Sequence, residues 1–310
     1  MFTKELTDID VDKLISDFDK NGFIEIENIF NHDTLIKLEK TIQSNKNILN
    51  TNSISGGYTK NYFFLSNFLS LSEEFYRFST SKMVFLICEK ILGKNFFLRS
   101  SRYYETTKLH GTNNQMLWHT DNKNNSGYLK NRGLVFLIYL NNSEGGETQF
   151  IKGSQNWTDE KNKTFFQVKK NDPKLDIVTF KTLENKLVIY DSRGVHQALL
   201  SNDKSFLRKS LFLQIDEEPK NLKQKNERNC EPVIINSKFL KNMTKELEYF
   251  LGFGVKHTFN KPVTTFKSMP YRLLTLKKYS CFFLNHIFVY LIDALKTNNI
   301  VRLIFRKEKI

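Results

Sequence analysis

The feature that most constrains the fold is the run Gly133-Leu-Val-Phe-Leu-Ile-Tyr-Leu140, eight consecutive residues without a charge. A strand with one wet face alternates apolar and polar residues; this run does not, so it predicts a strand covered on both faces. Further strand candidates surround it: an extended stretch from Phe96 to Thr107, a short strand Thr148 to Ile151 after the turn Glu144-Gly145-Gly146-Glu147, then Lys186 to Tyr190 and Phe206 to Ile215. Many short strands punctuated by Gly, Asn and Asp favour a β-sandwich or barrel over alternating βαβ units.

Helices are expected mainly in the first hundred residues. Asp8 or Asp10 can cap a helix with Val11, Leu14, Ile15 and Phe18 on one face, ending near Gly22. The alternating segment Gly22 to Glu27 then reads as a strand. Asp33 can cap a second helix carrying Leu35, Leu38 and Ile42, and a Ser/Thr cluster near Ser79 opens a third with Met83, Val84, Ile87 and Ile91, ended by Gly93. Beyond Pro219 the polar stretch Lys220 to Asn229 reads as a linker, and Ser237 to Leu251 as a helix with Phe239, Leu240, Met243, Leu247 and Phe250 inward.

Composition excludes some classes. At 310 residues, 40% hydrophobic and 26% charged, the chain can bury a sizeable core and is not a disordered composition. Cys88, Cys230 and Cys281 show no metal or redox spacing, which fits a reducing compartment and an expected cytoplasmic location. The N-terminal segment lacks the apolar core of a signal peptide, and the apolar run Cys281 to Ile292 is too short to span a bilayer. The net charge of +14 is concentrated at the C-terminal end, where residues 220–310 hold 18 Lys+Arg against 6 Asp+Glu. Such a surface can meet an anionic membrane or an acidic partner, or simply be solvated; no nucleic-acid module accompanies it.

The chemistry-bearing residues lie in the middle. In Met116-Leu117-Trp118-His119-Thr120-Asp121, residues 119 and 121 of an extended segment project to one side and offer an imidazole and a carboxylate to one point. His196, in Tyr190-Asp-Ser-Arg-Gly-Val-His196, follows an apolar strand and supplies a third ligand. Two His and one carboxylate leave adjacent metal positions open, which suits non-haem iron(II) better than a closed structural zinc site. Arg208 lies beyond the turn Ser201-Asn202-Asp203-Lys204, which folds the chain back either within a sheet or around a corner between sheets. A guanidinium there matches a carboxylate by paired hydrogen bonds, and Ser210 shares its face. A keto acid with a second carboxylate fits that layout.

These pieces resemble the Fe(II)/2-oxoglutarate-dependent dioxygenase superfamily, and most closely its phytanoyl-CoA dioxygenase-like branch. The likeness runs over roughly residues 9 to 216. It is carried by Phe18-Asp-Lys-Asn-Gly-Phe-Ile-Glu-Ile-Glu27, Trp118-His-Thr-Asp121, Gly145-Gly-Glu-Thr-Gln-Phe150 with Lys152-Gly-Ser154, and Asp191-Ser-Arg-Gly-Val-His196 followed by Arg208. The resemblance implies a mainly β fold with flanking helices (α+β) around a double-stranded β-helix, or jelly-roll, core. It implies Fe(II) held by His119, Asp121 and His196, with 2-oxoglutarate and O2 as cosubstrates. Arg208 would bind the distal carboxylate of 2-oxoglutarate, assisted by Ser210, with release of succinate and CO2. Gly145 to Thr148 is also similar to the prolyl-hydroxylase-like branch, which uses Lys at the Arg position; Lys209 is adjacent but shares its face with Leu207, Leu211 and Leu213. Since halogenase variants lack the carboxylate ligand, Asp121 implies hydroxylation.

Tyr104, Gln115 and Trp118 are candidate pocket residues, with ordinary core or rim packing as the alternative. His32, His110, His257 and His286 have no ligand-like spacing, and Glu144 and Glu147 are expected to be solvated. Pocket walls are expected from residues 50 to 70, 122 to 132 and 153 to 178. The expected organisation is an oxygenase domain over residues 1–219, with buttressing N-terminal helices, and a basic, partly helical extension over 220–310. The expected substrate is a small organic molecule or an acyl or sugar conjugate; a peptide substrate and a non-catalytic jelly-roll binding module are the alternatives.

Overall fold

The computed structural model describes residues 11–48, 56–58, 62–107, 118–121, 132–168, 175–199, 201, 203, 205–218, 227–228, 234–236, 238–240, 243–253, 256–257 and 264–266. The apolar run at 133–140 forms β5 (Gly133–Tyr139), buried at every position. It lies inside a seven-stranded sheet that also holds β1 (Phe23–Ile26), β2 (Gly56–Tyr58), β3 (Tyr62–Ser66), β4 (Phe96–Thr107), β8 (Lys186–Asp191) and β10 (Leu207–Glu217). Their order is β1-β8-β5-β10-β4-β3-β2, with antiparallel neighbours throughout. A second, three-stranded sheet contains β6 (Ser143–Ile151), β7 (Ile177–Thr182) and β9 (His196–Ala198), in the order β7-β6-β9. His119 adds an antiparallel bridge to His196 on that sheet. Two facing antiparallel sheets with flanking helices are the expected jelly-roll arrangement.

Side-chain alternation explains why β5 is apolar throughout. Leu134, Phe136 and Ile138 join Leu187, Ile189, Leu211 and Leu213 on the outer face, packed against helices through Phe18, Phe75, Phe78, Val84 and Ile87. Val135, Leu137 and Tyr139 face inward with Val188 and Tyr190, against Phe150 and Phe180 of the second sheet. The helices on the outer face are α1 (Val11–Asn21), α2 (His32–Ile48), α3 (Phe68–Leu71), α4 (Glu73–Ser79) and α5 (Lys82–Leu92). α1 ends at Gly22, whose φ is +89° and whose N–H returns to the Phe18 carbonyl at 2.7 Å. A Cβ at Gly22 would come within 2.3 Å of Gln155 Oε1, so glycine is required by both conformation and space.

Several local expectations change. Asn31, not Asp33, caps α2: its side chain accepts from the Thr34 N–H at 3.0 Å, and Asp33 sits inside the first turn, where its charge suits the helix dipole. The expected turn at 144–147 is part of one long strand, β6. Gly145 and Gly146 have φ of +78° and +69°, and the register with β7 shifts there, so the glycines make an irregularity within a strand rather than a hairpin end. The expected helix from Ser237 is confined to α7 (Lys245–Leu251), because Thr244 caps it by accepting from the Leu247 N–H at 3.2 Å. Asn236 instead turns the chain, accepting from the Lys238 N–H at 3.0 Å. The predicted inward residues still pack on the core, with Phe250 buried and its ring 5.0 Å from that of Phe85. Of the expected pocket loops, 50–70 contributes β2, β3 and α3, and 153–178 holds a 3-10 turn at Ser154–Asn156 and α6 (Asp159–Val168). In 122–132 only Arg132 is among the described residues. Among the described residues no helix is long and apolar enough to cross a membrane.

Candidate active site

The site begins where β8 leaves the large sheet. Asp191, with no exposed surface, ends that strand. Its carboxylate accepts from Arg132 Nε at 2.8 Å, from Arg193 Nε and Nη2 at 3.0 and 2.9 Å, and from the Arg193 N–H at 3.0 Å. A buried charge needs such partners, and here they fix the turn that carries the chain toward His196. Gly194 completes the turn: a Cβ there would lie 2.0 Å from Phe150 Cζ. Ser154, fully buried, accepts from the Val195 N–H at 2.8 Å. Sequence reasoning gave neither Asp191 nor Ser154 a role of its own, although both stand in the motifs it singled out.

His196 and the 118–121 segment are then locked together. His119 and His196 exchange backbone hydrogen bonds, both 2.9 Å, and the Asp121 N–H donates to the Ser192 carbonyl at 3.0 Å. The result gathers His119, Asp121 and His196, whose ligand atoms all lie within 4.8 Å of one another. His119 Nε2 is 3.9 Å from Asp121 Oδ1, and His196 Nε2 is 3.6 Å from Asp121 Oδ2. Taken with one ligand atom from each residue, the three form a group that could hold one metal ion. His196 Nδ1 lies 3.0 Å from the Gly194 carbonyl. A carbonyl only accepts, so Nδ1 carries the proton and Nε2 of the neutral ring keeps its lone pair for a metal.

Tyr190 lies beside this cluster. It is 4% exposed, and its hydroxyl donates to Asp121 Oδ2 at 3.4 Å. Burial, then the negative charge of Asp121, push its phenol well above the ordinary tyrosine value. The Tyr139 phenol is also raised, chiefly by burial, and its hydroxyl is 3.4 Å from Thr148 Oγ1.

Farther along the inner face, β9 and β10 belong to different sheets, so the turn between His196 and Arg208 rounds a corner. Arg208 is 8% exposed. Its Nη1 donates to the Gly146 carbonyl, and its Nε is buried with no hydrogen-bond partner among the described residues. Burial lowers its pKa from the usual arginine value, against the pull of Tyr139, Tyr190 and Glu147; a guanidinium stays charged in any case. A buried cation with an unused donor suits an incoming carboxylate. Ser210 is buried on the same face, opposite Tyr104 and Tyr139. Lys209 points the other way and pairs with Glu39 of α2 at 3.0 Å. Glu144 is exposed, whereas Glu147 is half-buried and accepts from the Gly145 N–H at 2.9 Å.

Tyr104 is on the inner face, 6.1 Å from the Phe212 ring, and accepts from Arg102 Nη1 at 2.6 Å. Trp118 packs on Phe165 of α6, with ring centroids 6.4 Å apart, on the side of the extended segment opposite His119. Gln115 lies outside the described residues.

A donor set of two imidazoles and a carboxylate, with a buried guanidinium that keeps an unused Nε donor among the described residues, fits Fe(II) and a dicarboxylic keto acid. The comparisons agree. Residues 101–213 match the family model described as the 2OG-Fe(II) oxygenase superfamily. No curated protein matches the chain. Similar solved structures include the non-haem α-ketoglutarate-dependent carbocyclase SnoK from nogalamycin biosynthesis, with a TM-score of 0.53 and 11% identity over 69% of this chain and 87% of that one. EctD from S. alaskensis, solved with 2-oxoglutarate and 5-hydroxyectoine, has a TM-score of 0.51 and 17% identity over 70% and 80%. The epimerase SnoN from nogalamycin biosynthesis has a TM-score of 0.50 and 14% identity over 67% and 83%. At these identities the solved structures show the fold alone, while the stretch that resembles the 2OG-Fe(II) oxygenase superfamily, residues 101–213, is the one that holds His119, Asp121, His196 and Arg208.

Proposed function

We propose that His119, Asp121 and His196 hold the Fe(II) of this oxygenase, that Arg208 with Ser210 binds the distal carboxylate of 2-oxoglutarate, and that the product is a hydroxylated small molecule. Bound Fe(II) with 2-oxoglutarate supplies the oxidising power, with succinate and CO2 released. His196, fixed by the Gly194 carbonyl, presents Nε2. Arg208 orients the cosubstrate by a charge-assisted pair, and Tyr139 and Leu137, toward that end of the inner face, help to exclude water there. The observation that carries the reading is the convergence of the three ligand side chains from two chain segments.

The inner wall suggests what the substrate presents. Thr106, Tyr104, Arg102 and Ser100 of β4 stand in register with Arg208, Ser210, Phe212 and Gln214 of β10. Gln214 shares a rung with Val135 and Tyr190, level with the metal end. A wall of this kind favours a substrate arm bearing hydroxyl, amide or carboxylate groups over a bare acyl chain. Arg208 rather than Lys at the anchor supports the phytanoyl-CoA dioxygenase-like branch over the prolyl-hydroxylase-like one.

The test is an anaerobic titration of Fe(II) with 2-oxoglutarate, read by the weak visible metal-to-ligand charge-transfer band. A band in wild type, lost in His196→Ala and weakened in Arg208→Ala, is the expected result. Its absence from well-folded wild type would leave a jelly-roll binding module. We also propose the division into an oxygenase domain (1–219) and a basic extension (220–310) that makes peripheral contact with an anionic surface, tested by salt-sensitive flotation with anionic vesicles.

A further inference from the structure

We propose that Tyr190 is a positioning residue for the iron: its hydroxyl occupies one oxygen of Asp121 and keeps that carboxylate bound to the metal through the other. The inference rests on the assignment of Asp121 as a ligand. A carboxylate can rotate until both oxygens bind one cation, as many Asp and Glu ligands do. In an open iron site that rotation would consume a position that cosubstrate or oxygen needs. Asp121 is exposed to such rotation, since its side chain keeps 22% of its accessible surface.

Tyr190 supplies the restraint from a rigid element. It is the penultimate residue of β8, paired on both sides, to Phe23 and to Val135. Its ring is held 6.0 Å from that of Phe150 and 5.0 Å from that of His196. The hydroxyl therefore approaches Asp121 Oδ2 from a fixed direction at 3.4 Å. Phenylalanine would fill the same apolar space. A hydroxyl on this wall is unfavourable unless it is hydrogen-bonded, and Asp121 is the group that satisfies it. Outer groups that orient a metal ligand typically govern affinity by ten-fold or more.

The test uses the full chain, metal-free, as wild type, Tyr190→Phe and Tyr103→Phe. Tyr103 is a fully buried tyrosine of β4 whose hydroxyl meets Glu105 rather than the ligand cluster. Co(II) titration gives affinity and a visible spectrum sensitive to coordination number; Fe(II) with 2-oxoglutarate gives the charge-transfer band; thermal melting of the metal-free proteins reports packing. The expected result is Co(II) binding about ten-fold weaker in Tyr190→Phe, with an altered Co(II) spectrum, a shifted charge-transfer band and an unchanged metal-free melting temperature. Tyr103→Phe keeps the wild-type affinity and spectra. Wild-type Co(II) affinity and spectrum in Tyr190→Phe overturn the proposal, and so does collapse of the metal-free variant, which would make the hydroxyl structural. If wild type itself binds neither Co(II) nor Fe(II), the ligand assignment fails, an outcome visible before any variant is compared.

Discussion

The two faces of the seven-stranded sheet are built to different rules. The outer face, under α1 to α5, is almost wholly apolar and rich in Phe, with Phe75, Phe78 and Phe136 at 0% exposure. The inner face has a smaller apolar cluster around Phe150 and Phe180, and beside it stand Arg208, Ser210, Gln214 and Asp216, all buried. Apolar burial is non-directional and stabilises by area, about 25 cal/mol per Å². Buried charges are taken out of water at a penalty that their partners at best offset. The outer face therefore supplies stability, and the inner face spends part of it to hold groups in place for a ligand.

The strongest challenge to this contrast is Phe136→Ala. It removes a fully buried ring from the outer face, 6.3 Å from that of Phe78, and should lower stability by about 3–5 kcal/mol in chemical denaturation. Metal affinity of the fraction still folded should be unchanged. Asp191→Ala should cost about 3 kcal/mol, because Arg132 and Arg193 lose their buried partner. Unlike Phe136→Ala, it should also weaken Co(II) binding, since the turn to His196 is released. If the two variants affect metal binding equally, the division of labour is wrong.

Arg208→Met sharpens the contrast by reversing the sign. It removes a buried cation with an unsatisfied Nε while keeping similar bulk, so metal-free stability should stay level or rise by about 1 kcal/mol. The 2-oxoglutarate-dependent band should weaken at the same time. A marked fall in stability would mean that Arg208 is structural.

The smallest expected effect belongs to Cys88, on the outer-face side. Burial pushes its thiol well above the ordinary value. The unfolded thiol ionises above about pH 8.5, while the folded one keeps its proton, so the unfolded state binds fewer protons and stability falls with rising pH. That contribution is complete below about pH 8.5 and declines at up to about 1.4 kcal/mol per pH unit above it. Cys88→Ala should flatten the slope of unfolding free energy between pH 8 and 10, and native Cys88 should resist iodoacetamide. Rapid native labelling would show that this face opens.

Part of this architecture is legible from local pattern alone. β5, β8 and β10 follow from runs of β-favouring residues, and α1, α2 and α5 from spacing that reflects how each side chain meets one core, whereas α3 and α4 are not read from the sequence. His119 and Asp121 are legible together because a strand's period of two puts them on one side. The choice of Arg208 over Lys209 follows from the same alternation, and the Lys209–Glu39 pair bears out the facing. What could not be read are matters decided by distant partners. Asn31 outcompetes Asp33 as a cap because its side chain reaches the Thr34 N–H, a choice of rotamer and backbone entry. Glycines 145 and 146 read equally well as a turn or as an irregularity within a strand; pairing with β7 on both sides makes them the latter.

The sequence by itself determined a fold of many short strands, the shared side of His119 and Asp121 and the facing of Arg208 away from Lys209, because strand periodicity and residue chemistry are local properties. Only the tertiary structure decided which atoms meet: that His196 bonds in a two-way bridge to His119, that Asp191 is gripped by Arg132 and Arg193, and that the Tyr190 hydroxyl reaches Asp121. Those contacts join residues 59 to 77 positions apart or neighbours folded back on themselves, and their distances arise from the packing of two sheets against each other.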